Sequence, residues 1–183
     1  MSYCSYINNN VTETADYLLH KHYHDNQYGF EITDDDELFG RLILEINQAG
    51  LSWTLMLRKQ DSFRKAYDNF SIEKIAQYDE SDRERLLLDA GIVRNKLKVN
   101  AAIVNAQKIL ELKKDFGSFK GWIDAHHPLT KEEWIKVFKK TFKFTGGEIV
   151  NEFLMSTGYL PGAHTPDCPI YKKVKLIEAT AKA

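Results

Sequence analysis

The sequence predicts an all-α fold assembled from short helices. Three observations carry that expectation. Apolar residues recur at three- and four-residue spacing in successive segments, capping residues stand ahead of those segments, and no stretch reads clearly as a sheet.

The elements follow in order. Thr33 precedes Asp34, Asp35 and Asp36, which suit a helix N-terminus by capping and by charge, and this helix runs to Gly50. Ser52 caps the next helix, about Trp53 to Tyr67, and Ser71 opens a short one. Ser81 to Glu84 form a capping box for a helix that closes at Gly91. From Arg94 to about Lys114, Leu97, Ala101, Val104 and Ile109 stand near helical spacing. Ser118 starts a further short helix, and Thr130 to Glu133 form a second capping box. Phe142 to Gly147 read as a hairpin turn, after which Ile149 to Thr157 resume the helical pattern. Beyond Gly158, Pro161, Gly162, Pro166 and Pro169 make an irregular tail. The first 30 residues have the weakest pattern, and Asn8-Asn9-Asn10 read as a loop.

A chain of 183 residues, 43% hydrophobic and 28% charged, fits one domain over 1–183 with a core of its own. The net charge of −1 argues against strong nonspecific nucleic-acid binding but allows one local basic face. Two cysteines, Cys4 and Cys168, are too few for a disulfide framework. No apolar run is long enough to span a bilayer and no signal pattern opens the chain, so the expected location is the cytoplasm.

Four groups of residues could carry chemistry. Glu45 shares a stripe with Leu38, Leu42 and Ile46, within about 20° of Leu38 around the helix axis. A carboxylate aimed at an apolar side needs partners or a shifted pKa, which marks it as a site candidate; a partner arginine or water at the helix end is the plainer explanation. Trp53 follows that helix, and Tyr6, Tyr23 and Tyr28 lie in loop-like sequence. Such rings can hold a flat cationic base by stacking, although most rings simply pack. His164 and Cys168 have a spacing that suits a metal in a tight loop, with Cys4 and one of His20, His22 or His24 as further ligands. A free Cys168 and an exposed His164 are the alternative. The adjacent pair His126-His127 reads as solvent-facing. The hairpin Thr141 to Gly147 exposes backbone N–H groups at a helix start, which suits phosphate, with Lys139, Lys140 and Lys143 adding positive charge.

Together these blocks resemble the 3-methyladenine DNA glycosylase I family. The resemblance rests on Tyr23-His-Asp-Asn-Gln-Tyr-Gly29, Gln48-Ala-Gly-Leu-Ser-Trp53, Asp89-Ala-Gly-Ile-Val-Arg94 with Lys98 and Asn105-Ala106, Phe142-Lys-Phe-Thr-Gly146, and His164 with Cys168. It implies the helix–hairpin–helix DNA glycosylase fold with a zinc-tied appendage joining residues 1–30 to 159–175. It implies one structural zinc ion on Cys4, His24, His164 and Cys168. It implies Glu45 as the catalytic carboxylate, with Tyr6, Tyr23, Tyr28 and Trp53 forming the base pocket.

The implied activity is hydrolysis of the N-glycosidic bond of 3-methyladenine in double-stranded alkylated DNA, by a monomeric protein. Lys143, Phe144, Thr145, Gly146 and Gly147 would hold phosphate, and Leu51 would fill the gap left by the flipped nucleotide. No lysine reads as a positioned nucleophile, so the enzyme is expected to be monofunctional. Tyr6 and Tyr28 stand where the family pattern has tryptophan, and the span from Cys4 to His24 is longer than usual. Other readings are a glycosylase for a different alkylated base, a non-catalytic lesion-binding protein of the same fold, and a helical interaction domain with a zinc knot.

Overall fold

The computed structural model describes residues 2–9 and 13–176. Among these residues there are ten α-helices and no strand. The helices are α1 (Tyr3–Asn9), α2 (Ala15–Asn26), α3 (Asp35–Gln48), α4 (Trp53–Ala66), α5 (Ile72–Ala76), α6 (Glu80–Leu88), α7 (Lys96–Phe116), α8 (Phe119–His126), α9 (Lys131–Thr141) and α10 (Gly147–Ser156).

Helix α3 is the centre of the arrangement. Every residue from Leu38 to Asn47 is buried, as expected of a helix enclosed on all sides. It packs on α4, α7, α8 and α10. Gly40 permits one close approach: a Cβ there would lie 2.4 Å from the Phe70 ring. Phe70 ends a single 3₁₀ turn, Asp68–Phe70, and is fully buried against α3 and α4. The long helix α7 packs on α5 and α8, and α9 packs on α10 across the short connection 142–146.

Most expected elements are present, with shifted boundaries. The cap of α3 is Asp34, the first of the three expected acidic residues, and its carboxylate accepts from the Glu37 N–H at 2.9 Å. That helix stops at Gln48, and Gly50 adopts a positive φ of 82° in the corner that follows. The capping box of α6 joins Asp79 to Asp82, not Ser81 to Glu84. The Ser81 hydroxyl is spent on Asp79 at 2.7 Å, and an acceptor-only carboxylate suits the helix start better. Asn95 rather than Arg94 sets the start of α7, where its side chain accepts from the N–H groups of Leu97 and Lys98. The box Thr130–Glu133 and the caps Ser52, Ser71 and Ser118 are as expected.

The largest difference lies at the start of the chain. Asn8 and Asn9 belong to α1, and Asn10 lies outside the described residues. Tyr6 and Tyr23 are helical rather than in loops, while Tyr28 lies in the turn after α2. Thr14 caps α2 through the Tyr17 N–H at 3.2 Å. Its histidines and tyrosines are weak helix formers, so tertiary packing on α1 and α4 holds the helix. His126 and His127 are half-buried, not solvent-facing, and His126 Nδ1 hydrogen-bonds the Trp122 carbonyl at 2.8 Å. No described helix is long and apolar enough to cross a membrane.

Candidate functional site

The site is built around the middle of α3. Glu45 is only 5% exposed, yet it lines a cavity of about 650 Å³. The cavity is also lined by Tyr6, Tyr23, Tyr28 and Trp53, so four expected aromatic residues meet the expected carboxylate in one place. They arrive from different elements: Tyr6 from α1, Tyr23 from α2, Tyr28 from the turn after it, and Trp53 from the first turn of α4. Tyr23 lies centrally, with ring centroids 5.1 Å from Trp53 and 5.6 Å from Tyr28. The spacing is that of rings in contact around a slot for a flat ligand.

No hydrogen bond to the Glu45 carboxylate is formed among the described residues. Burial pushes its pKa up to about 8; Arg41 pulls it down and Glu152 adds to the rise. Arg41 is itself buried and committed, donating to Tyr23 Oη at 3.1 Å and to the Ser156 carbonyl at 3.4 Å. Glu45 is therefore a carboxylate whose ionised form lacks a hydrogen-bond donor inside a polar-tipped aromatic slot. A ligand bringing positive charge and N–H donors supplies what is missing.

Sequence patterning did not single out Glu152, Tyr3 or His20 as parts of this slot, nor Arg41 behind it. Arg41 had a usable signal, since it stands one helical turn before Glu45 on a buried helix. Tyr3 Oη hydrogen-bonds His20 Nδ1 at 2.8 Å, and His20 Nε2 hydrogen-bonds Thr54 Oγ1 at 2.8 Å, which closes one wall. Glu152, on α10, accepts from Tyr28 Oη at 3.3 Å.

The cavity rim leads to the two turns expected to meet a nucleic-acid backbone. Gln48 lines the cavity and its side-chain amide donates to the Leu51 carbonyl at 2.8 Å. Leu51 is 37% exposed on the corner after Gly50. Buried Lys98 donates to the carbonyls of Asn47 and Ala49 at 2.9 and 2.8 Å, which caps the end of α3. Its ammonium also lies 5.8 Å from the Phe144 ring centroid. Lys98 thus spans the Leu51 corner and the 142–146 hairpin.

Asn105, fully buried, holds the hairpin by accepting from Lys143 N at 2.7 Å and donating to Lys143 O at 3.0 Å. Phe144 (φ 60°) is 39% exposed and the Lys143 side chain is exposed. Gly146 caps α10 without a side chain, which leaves the first-turn N–H groups, including that of Gly147, open. The Thr145 side chain is turned inward, its hydroxyl donating to the Phe142 carbonyl at 3.3 Å.

A second cluster closes the far side. The ligand atoms of Cys4, His24, His164 and Cys168 all lie within 4.8 Å of one another, and all four residues are buried. Sulfur–nitrogen separations run from 3.4 Å (Cys4–His24) through 3.6 Å (Cys4–His164 and Cys168–His164) to 3.7 Å (Cys168–His24). Ligand bonds of about 2.0–2.3 Å around a tetrahedral ion put neighbouring donors about 3.3–3.8 Å apart, so the group could hold a metal. The outer nitrogens are engaged as metal-bound imidazoles require: His24 Nδ1 with Asp25 at 2.7 Å, and His164 Nε2 with the Tyr28 carbonyl at 2.8 Å. His20 and His22 are not part of the group.

The chain has relatives among known proteins. The family profile described as methyladenine glycosylase matches residues 13–141. DNA-3-methyladenine glycosylase 1 of Escherichia coli (strain K12) is 33% identical over 168 residues, 81% of this chain and 89% of the relative. DNA-3-methyladenine glycosylase of Haemophilus influenzae is 32% identical over 166 residues, 80% of this chain and 89% of the relative. A crystal structure of a variant 3-methyladenine DNA glycosylase I in complex with 3-methyladenine superposes with a TM-score of 0.79 at 30% identity, covering 93% of this chain and 97% of that one. A Staphylococcus aureus structure concerned with 3-methyladenine recognition gives 0.76 at 31% identity, covering 87% and 93%.

The buried carboxylate makes a stability prediction. Its folded pKa of about 8 exceeds the ordinary 4.5, so the folded state binds the extra proton and loses stability as pH rises between those values. Glu45→Gln removes this titration. In denaturant unfolding, the variant should match wild type near pH 5 and exceed it by on the order of 3 kcal/mol near pH 8.5. A difference independent of pH would contradict the assignment.

Proposed function

The chain belongs to the methyladenine glycosylase family, and from that premise we propose that it hydrolyses the N-glycosidic bond of 3-methyladenine in double-stranded alkylated DNA. The observation that carries the proposal is Glu45, buried without a donor in an aromatic slot and open to a cationic base.

Bases are hidden in the duplex, so the damaged nucleotide must be extruded. Leu51 fills the vacated stack from its exposed corner. The open N–H groups at the start of α10, with Lys143, Phe144 and the Thr145–Gly147 backbone, hold the neighbouring phosphates. The extruded base lies against Tyr23 and Trp53, with Tyr6 and Tyr28 completing the walls. Glu45 ionises on receiving it and accepts hydrogen bonds from the purine edge.

Methylation at N3 makes the base a cation and a good leaving group, so little acid catalysis is required. Water adds to the sugar carbon. The glycosidic bond breaks, its electron pair passes to the purine, and 3-methyladenine leaves neutral. The surplus proton of water goes to solvent. The reading is of a monofunctional enzyme, with no lysine ammonium lining the cavity among the described residues.

Cys4, His24, His164 and Cys168 would hold one structural Zn²⁺, which cross-links α1 and α2 to the tail and makes the chain one domain. The protein acts as a monomer in the cytoplasm.

Chromatography of bases released from methylated duplex DNA tests the activity. Wild type should release free 3-methyladenine, and Glu45→Gln should be slower by about a hundredfold. No release by folded, zinc-loaded wild type sinks the proposal, and a borohydride-trapped protein–DNA adduct sinks monofunctional chemistry. For zinc, metal analysis should find one ion per chain, and chelation should lower the melting temperature and helical signal together. Unchanged melting after the metal is gone would count against a structural role.

A further inference from the structure

The base-release chemistry uses one carboxylate, yet the cavity contains two. Glu152 reaches the cavity from α10, the helix that begins at the hairpin, whereas Glu45 reaches it from α3. The two helices pack together, and the Glu152 charge is felt by Glu45 across the slot, where it raises the Glu45 pKa. Positive charge does not balance them. Arg41 is the nearby guanidinium, and it is committed to Tyr23 Oη and the Ser156 carbonyl with its charge 5.0 Å from the Tyr23 ring centroid. Lys131 acts on Glu152, but it pairs with exposed Glu148 at 3.7 Å, one turn earlier on the same helix, and the Glu148 charge opposes its effect, so burial still leaves the Glu152 carboxyl above its ordinary range.

A purely positional role does not account for a carboxylate here. Tyr28 Oη donates to Glu152 Oε2, and burial keeps that phenol protonated, so any acceptor would satisfy it. Glutamine would serve without placing a second like charge beside Glu45, which is costly in a partly buried site. Once Glu45 ionises on ligand entry, two carboxylates stand against one engaged guanidinium, a surplus of negative charge that faces the slot. A neutral purine gains nothing from that surplus, whereas a cationic purine is attracted by both groups.

We infer that Glu152 is a second specificity-determining residue, which acts with Glu45 to set how strongly this pocket prefers a permanently cationic purine over a neutral one. The inference rests on the reading of the cavity as the base pocket. It also assigns Tyr28 a role: the phenol fixes the Glu152 carboxylate, which a ring without a hydroxyl does not.

The test is binding of two probes, neutral adenine and the permanently cationic N3,N9-dimethyladeninium, followed by tryptophan fluorescence on the full zinc-loaded chain. Wild type should prefer the cation. Glu152→Gln should weaken the cation about tenfold and leave adenine within about twofold. Tyr28→Phe, which keeps the charge, should retain most of the preference. The inference is overturned if Glu152→Gln weakens both probes alike, changes neither, or is fully reproduced by Tyr28→Phe. Failure of wild type to bind either purine overturns the base-pocket reading itself, an outcome distinct from loss of Glu152's role alone.

Discussion

The structure depends on one costly arrangement, a carboxylate held inside the central helix of the core. Helix α3 is enclosed over Leu38 to Asn47, so its polar side chains need partners supplied by the fold or by a ligand. Asn47 has one, donating to the Ile43 carbonyl at 2.8 Å. Arg41 has two. Glu45 has only the distant pull of Arg41 and is pushed up to about 8. The hydrophobic core around α3, extending through Trp134, Phe138 and Phe153, offsets that cost. The site stores an incomplete interaction; under the proposed function a cationic base completes it, so that the pocket discriminates charge rather than shape alone.

The same helix links the cavity to the two turns proposed to face DNA. Lys98 caps the α3 C-terminus from α7 and faces Phe144, so the carboxylate's helix, the Leu51 corner and the hairpin share one buried cation. On the other side, the Cys–His cluster fixes the aromatic wall. His164 is hydrogen-bonded to the Tyr28 carbonyl, His24 is on α2 next to Tyr23, and Cys4 is on α1 between Tyr3 and Tyr6. Helices α1 and α2 are too short and too poor in helix formers to hold such rings in place alone. The cluster therefore places the walls of the cavity.

Much of this was legible in the sequence, and the gaps have physical causes. Glu45 stands out because helical periodicity places a carboxylate on an apolar stripe, and Trp53 because it is a ring just past the end of that helix. The hairpin was legible from Phe142 to Gly147 because glycine ends one helix pattern and starts another. The choice of His24 over His20 and His22 was not available from spacing. All three lie on one helix, and only the approach of a tail about 140 residues away separates them; the family resemblance supplied that choice. Glu152 was silent for the opposite reason. Between Glu148 and Ser156 it reads as part of an ordinary half-exposed helix face, and only the packing of α10 against α3 turns it toward Glu45. The Asp79 cap was missed because a serine two residues later offered an equally plausible signal.

The central claim is that Glu45 waits protonated and ionises when a cation enters. Isothermal calorimetry of N3,N9-dimethyladeninium binding near pH 7, in buffers of different ionisation enthalpy, counts the protons released. With the folded pKa near 8, wild type should release about one proton per ligand bound, and Glu45→Gln should release far less. Binding with no proton release by wild type, or equal release by the variant, would contradict the account.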